Sequence, residues 1–184
     1  MGVKHFNSAK LGALREASKK GYDISSYANP AYSAQKIRTL IAMQQGGVRV
    51  DHFAKLKYSD GQMYVICKEL IDGHDVSKLA NHNYSAAMML NLNEILVYKG
   101  FDLFKYADAG YTLSQIEQIE HGLRRKVPLD LFESKDFDHL QMNQIIRGYG
   151  EGIDVTRYAS PDISWQEMKR IREKLRKEVK ENNG

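Results

Sequence analysis

Six histidines, a single cysteine and a recurring set of aspartates are the residues of this chain with the means to do chemistry. The histidines are His5, His52, His74, His82, His121 and His139, and no two share the i, i+4 spacing of a helical zinc pair. His74 and His82, which flank one short segment, come nearest to a ligand pair. Cys67 has no cysteine partner, so an internal disulfide is excluded and a reducing, cytoplasmic setting is expected. As a nucleophile it would need a base held beside it, and the sequence offers none nearby. Asp23, Asp75, Asp102 and Asp154 resemble a carboxylate cluster, but each stands two places after a glycine. That constant position makes them caps of the segment that follows. A phosphate loop, a nucleophile elbow and a metalloprotease motif are all lacking. The reading is a non-enzymatic chain with no catalytic residue, cofactor or metal ligand.

The element that positions these residues is a repeat. An aromatic or aliphatic leader recurs as Phe6, Tyr32, Tyr58, Tyr84, Tyr111, Phe137 and Ile163, at successive gaps of 26, 26, 26, 27, 26 and 26 residues. A capping residue follows each: Asn7, Ser33, Ser59, Ser85, Thr112, Asp138 and Ser164. Five places after the leader stand Leu11, Ile37, Met63, Met89, Ile116, Met142 and Met168. Eight places after it stand Leu14, Leu40, Ile66, Leu92, Ile119, Ile145 and Ile171. Spacings of three and four put such residues on one helical face. In the copy from Tyr58 to Asn83, Ser59 and Gln62 form a capping box, Gly73 ends the helix, and Asp75 caps a second, shorter one. The expected fold is therefore all-α: a short-repeat solenoid forming one domain over residues 1–184. Its units are 6–31, 32–57, 58–83, 84–110, 111–136 and 137–162, and 163–184 is a C-terminal capping helix. Long helices should begin near Ser8, Ala34, Asp60, Ala86, Leu113, His139 and Trp165.

Three copies depart from the pattern. Copy four carries one extra residue before Gly100, which predicts a looser turn. In copy two the capping aspartate has slipped to Asp51. Copy five has Lys126-Val127-Pro128 where a glycine turn is expected, and Glu133 where others have alanine, which predicts a frayed or displaced second helix.

The runs Gln141-Met142-x-x-Ile145 and Gly152-Ile153-Asp154-Val155-Thr156-Arg157-Tyr158-Ala159 resemble a short helical repeat of gut Clostridia proteins, as does Ser164-Trp165-Gln166-Glu167-Met168. Those proteins are often carried by phages and conjugative elements. The matching residues are packing and capping positions, so the resemblance implies the fold and a mobile-element setting but no active site. One concrete version is a stoichiometric inhibitor of a host defence protein such as a CRISPR nuclease.

Charge divides the functional possibilities. The chain carries 27 Lys and Arg against 23 Asp and Glu, a net of +4. Residues 164–184 hold seven of the basic and four of the acidic residues, so most of the excess belongs to the last helix. Nucleic-acid binding would rest on basic helix ends: Lys19, Lys20, Arg124, Arg125, Lys126, Lys169, Arg172, Arg176 and Lys177. Protein binding would rest on Tyr64, Val65, Met88 and Leu90, apolar groups in columns that elsewhere hold polar ones. The partners these admit are a protein, a protein–nucleic acid complex, nucleic acid directly, or a second copy in a homodimer. No membrane partner is expected: no apolar run nears the ~18 residues of a span, and Met1 to Lys10 lacks the apolar segment of a signal peptide.

Overall fold

The computed structural model describes residues 5–50 and 57–182, and among them every regular element is helical. Long helices are α1 (Ser8–Lys19), α2 (Ala34–Gln45), α3 (Asp60–Ile71), α4 (Ala86–Lys99), α6 (Leu113–Arg124), α7 (His139–Gly150) and α8 (Trp165–Asn182). A short α5 (Phe104–Asp108) lies between α4 and α6. All seven long helices start at the residues that the leader-and-cap pattern predicts. By contacts the chain divides into two compact units, Met1–Asn93 and Glu94–Gly184, with the division inside α4. In the first unit α2 packs on both α1 and α3. In the second, α7 packs on both α6 and α8.

Capping sets the helix starts. The side chains of Asn7, Ser33, Ser59, Thr112 and Asp138 each accept from the backbone N–H three residues on. In α3, α6 and α7 the glutamine at that place returns the bond to the cap's own N–H, which completes a capping box. Helix ends are equally uniform. Gly21, Gly47, Gly73, Gly100 and Gly152 all adopt left-handed backbone, and Lys126 takes it too at φ 56°. The next amide closes the turn on a carbonyl five residues back, as in Ile153 N to Gly148 O at 3.0 Å and Val127 N to Gly122 O at 3.0 Å. Copy five thus keeps the turn without glycine. In copy four the extra residue lengthens the helix, and the closing bond from Phe101 N to Ile95 O stretches to 3.4 Å.

The second helix of the unit is smaller than expected. Only α5 is α-helical; Leu129–Leu131 and Val155–Arg157 are single 3-10 turns, and Ser77–Leu79 is a hydrogen-bonded turn. Asp75 caps that turn by accepting from Ser77 N at 2.8 Å, which holds its carboxyl below the usual range. So short a segment between the glycine turn and the next loop has too few residues to nucleate a stable α-helix by itself. In copy five Glu133 accepts from the Tyr106 hydroxyl at 2.7 Å, a tie between neighbouring turns rather than a frayed end. Asp51 and His52 lie outside the described residues.

The core columns are buried as the period requires, except at the two terminal helices, where Leu11 is 37% exposed and Ile171 is partly exposed. Ile37, Met63, Met89, Ile116, Met142 and Met168 are fully enclosed, as are Leu40, Ile66, Leu92, Ile119 and Ile145. Gly122 and Gly148 let a turn close on the helix: a Cβ on either would overlap the Phe132 ring or the Tyr158 hydroxyl and ring. Burial pushes the Tyr158 hydroxyl up to about 12, and it donates to the Gln144 carbonyl at 3.0 Å.

One polar device joins five of the copies to the next; in copy four Met88 holds its place. Gln62 Nε2 donates to the carbonyls of His82 and Tyr84, Gln115 Nε2 to those of Lys135 and Phe137, and Gln141 Nε2 to those of Pro161 and Ile163. In the first two copies lysine takes this place: Lys10 Nζ reaches the Pro30 carbonyl at 2.8 Å, and buried Lys36 reaches that of Tyr58 at 3.4 Å. Burial lowers the pKa of Lys36, opposed by the charge of Asp60.

Candidate protein-binding face on the second and third long helices

The residues singled out for protein binding divide in the structure. Tyr64 on α3 is 58% exposed and Leu90 on α4 is 43% exposed, so both stand at the surface. Val65 does not: at 1% exposure it belongs to the core, and it is withdrawn as a surface contact. Its column also buries Thr39 and Gln144, because a helix packed on both sides buries more than one stripe. Met88 is half-buried, and its backbone N–H is capped by Ser85 Oγ at 3.1 Å.

Ile71, seven residues beyond Tyr64 and therefore on the same side of α3, is 48% exposed. The signal was legible as that i, i+7 relation. Tyr64 and Ile71 line a groove of about 420 Å³ between α2 and α3, together with Arg38, Thr39, Ala42 and Cys67. Cys67 Sγ donates weakly to the Thr39 carbonyl at 3.7 Å, and burial pushes its thiol pKa up. This is a packed cysteine rather than an activated one. A second groove of about 440 Å³ runs between α1 and α2, where Gly12 and Ala13 of α1 face Arg38, Ile41 and Ala42 of α2.

At the end of α3, Glu69 is a buried carboxylate with three donors. Lys68 Nζ lies 3.1 Å from Oε1, while His74 Nδ1 at 2.7 Å and Asn93 Nδ2 at 2.5 Å meet Oε2. Burial alone would raise the pKa of Glu69; the bonds from His74 and Lys68 outweigh it and hold the carboxyl below its usual range. Glu69, Asp72 and His74 are the one group of three potential metal-ligating side chains among the described residues. The Lys68 ammonium already bridges Glu69 and Asp72, at 3.1 and 3.2 Å. The cation that cluster calls for is supplied by the chain itself.

The basic candidates are divided between the two units and among three helices. Lys19 and Lys20 are exposed in the first unit, with Lys20 paired to Glu16 at 3.1 Å. Arg124, Arg125 and Lys126 are exposed at the end of α6, where Arg124 pairs with Glu120 at 3.5 Å. Arg176 and Lys177 are exposed on α8, and Lys169 pairs with Glu173 at 4.0 Å. Arg172 is withdrawn: it is 1% exposed, and its guanidinium bonds Gln144 Oε1 at 3.2 Å and Glu151 Oε1 at 2.5 Å. It clamps α8 onto α7 and has no donor turned to solvent for a phosphate.

No protein-family model, no curated protein and no solved structure matches this chain. Among the described residues, no helix is long and apolar enough to cross a membrane.

Proposed function

We propose that the chain is a non-enzymatic helical-repeat protein of the solenoid type that binds another protein, alone or in a complex with nucleic acid. The observation that carries this reading is the exposure of Tyr64, Ile71 and Leu90 on helices whose core columns are otherwise fully enclosed. Large apolar side chains left in water beside a formed groove favour a partner that covers them. A repeat supports such a role because its packing columns stay fixed while neighbouring columns vary, here from Gly12 to Arg38 to Tyr64 to Leu90. The sharper form, a phage- or mobile-element-encoded inhibitor of a host defence protein such as a CRISPR nuclease, is supported by the resemblance of the repeats alone. Stoichiometric binding would suffice for it.

The alternative, nucleic-acid binding through basic helix ends, rests on Arg124, Arg125, Lys126, Arg176 and Lys177. Salt separates the two, because phosphate contacts weaken steeply with it. The test is affinity capture from a gut clostridial lysate, with and without nuclease, using the wild type and the double variant Tyr64→Ser, Leu90→Ser. Retention of a protein through nuclease and raised salt, and its loss in the variant, supports the proposal. Loss of all partners with nuclease favours the alternative, and turnover of a small substrate overturns both.

A further inference from the structure

We infer that the face built by α1, α2 and α3 is a docking surface for a segment of another protein in which a carboxylate stands between apolar side chains. This rests on the protein-binding reading and names the chemistry of the partner.

The two grooves of this face share a wall. Arg38 and Ala42, one turn apart on α2, line both the α1–α2 groove and the α2–α3 groove. Arg38 is exposed, and it has no hydrogen bond or ion pair among the described residues. The other charges on the face are compensated: Glu16 pairs with Lys20, and Lys68 with Glu69 and Asp72. Of the charges that line the two grooves, the one left uncompensated among the described residues is thus a guanidinium at the crest between two troughs. Apart from these paired charges and Gln35 and Gln45, the walls around it are apolar or small. Tyr64 and Ile71 stand out on one side, and Gly12 leaves the other open, since a Cβ there would meet nothing within 4 Å.

A guanidinium among apolar walls suits a carboxylate, which it holds through two parallel bonds. Apolar side chains on either side of that carboxylate would enter the troughs. A nucleic acid would ask for several unpaired cations along its track, and the lining of these grooves offers one.

The test is selection from a displayed library of random peptides of about 15 residues, run against the full chain and against Arg38→Glu. Selected peptides are then measured by fluorescence anisotropy, with a single-stranded oligouridylate as competitor. The wild type should enrich peptides with Asp or Glu flanked by apolar residues. Arg38→Glu should weaken them about tenfold or more, the loss expected for one charge-assisted contact. Arg38→Ala and Tyr64→Ser should each weaken them too. Both positions are exposed, so thermal unfolding of the three variants should match the wild type. Enrichment of basic or charge-indifferent peptides, equal binding to Arg38→Glu, or no enrichment overturns the inference. So does displacement by the oligouridylate, which would assign Arg38 to phosphate. Peptides that need Tyr64 but ignore Arg38 overturn this inference and leave the protein-binding reading standing. A lysate without any protein partner removes that reading even where acidic peptides dock.

Discussion

Gln141 holds Ile163: its amide nitrogen donates to the Ile163 carbonyl at 2.8 Å across 22 residues, and the same offset joins Gln62 to Tyr84 and Gln115 to Phe137. Each of these glutamines also caps its own helix through its oxygen, so one side chain fixes both a helix start and the loop of the following unit.

Replacing Gln115 or Gln141 with methionine should therefore cost more than a cap. Two buried carbonyls lose their donor, and a loss of about 1–3 kcal/mol is expected. The converse change, Met88→Gln, supplies a side-chain oxygen to accept from the Ser85 backbone N–H, completing a capping box, and should stabilise by about 0.5–2 kcal/mol. Urea unfolding midpoints of the three variants check both signs.

Alanine at the glycines should separate contact from conformation. Gly148→Ala forces a methyl into the Tyr158 ring and Gly122→Ala into that of Phe132, and each should destabilise by about 1–3 kcal/mol. Gly12→Ala meets nothing and sits inside α1, so it should stabilise by roughly 0.5–1 kcal/mol. Thermal unfolding of the three proteins gives the comparison.

Lys126→Gly should stabilise by about 1 kcal/mol, because a side chain at φ 56° bears the left-handed penalty that glycine escapes. Gly152→Lys, the mirror change in the next copy, should cost a similar amount. Both are read from denaturant midpoints at neutral pH.

Glu69 should make the first unit acid-sensitive. Its folded pKa lies below the ordinary carboxylate value, so the stability it contributes is present at neutral pH. That contribution fades as pH falls below about 4.3 and through the folded pKa. Glu69→Gln should destabilise at pH 7 and approach the wild type near pH 3. A constant difference across that range would contradict the assignment.

The helix starts and the two core columns were legible because period, cap and leader repeat seven times and reinforce one another. The facing of Val65 and Arg172 was not. The column of Arg172 holds Arg15, Ile41, Cys67, Asn93, Glu120 and Ile146, a mixture with no hydrophobic period to read. From Cys67 onward it is buried, and its polar groups survive by finding partners on the preceding helix: Cys67 finds Thr39, Asn93 finds Glu69, and Arg172 finds Gln144. The second bond of the glutamines was hidden for a related reason. Its acceptor lies in the next unit, while the capping pattern is a property of one helix. For the docking face, Tyr64 was visible as an apolar residue in a polar column, whereas Arg38 looked ordinary until its lack of a partner was seen.

The side-chain bonds described above reach no further than 28 residues along the chain, the span from Cys67 to Thr39 and from Arg172 to Gln144. Folding therefore never has to wait for a distant segment: each helix finds its partners in what was made just before it or in what comes next. A nascent chain can settle unit by unit as it leaves the ribosome. An extra 26-residue copy spliced between two loops would bring its own donor, its own turn and its own acceptors, so the length of such a protein can change in whole units while each donor at the junction finds an equivalent acceptor.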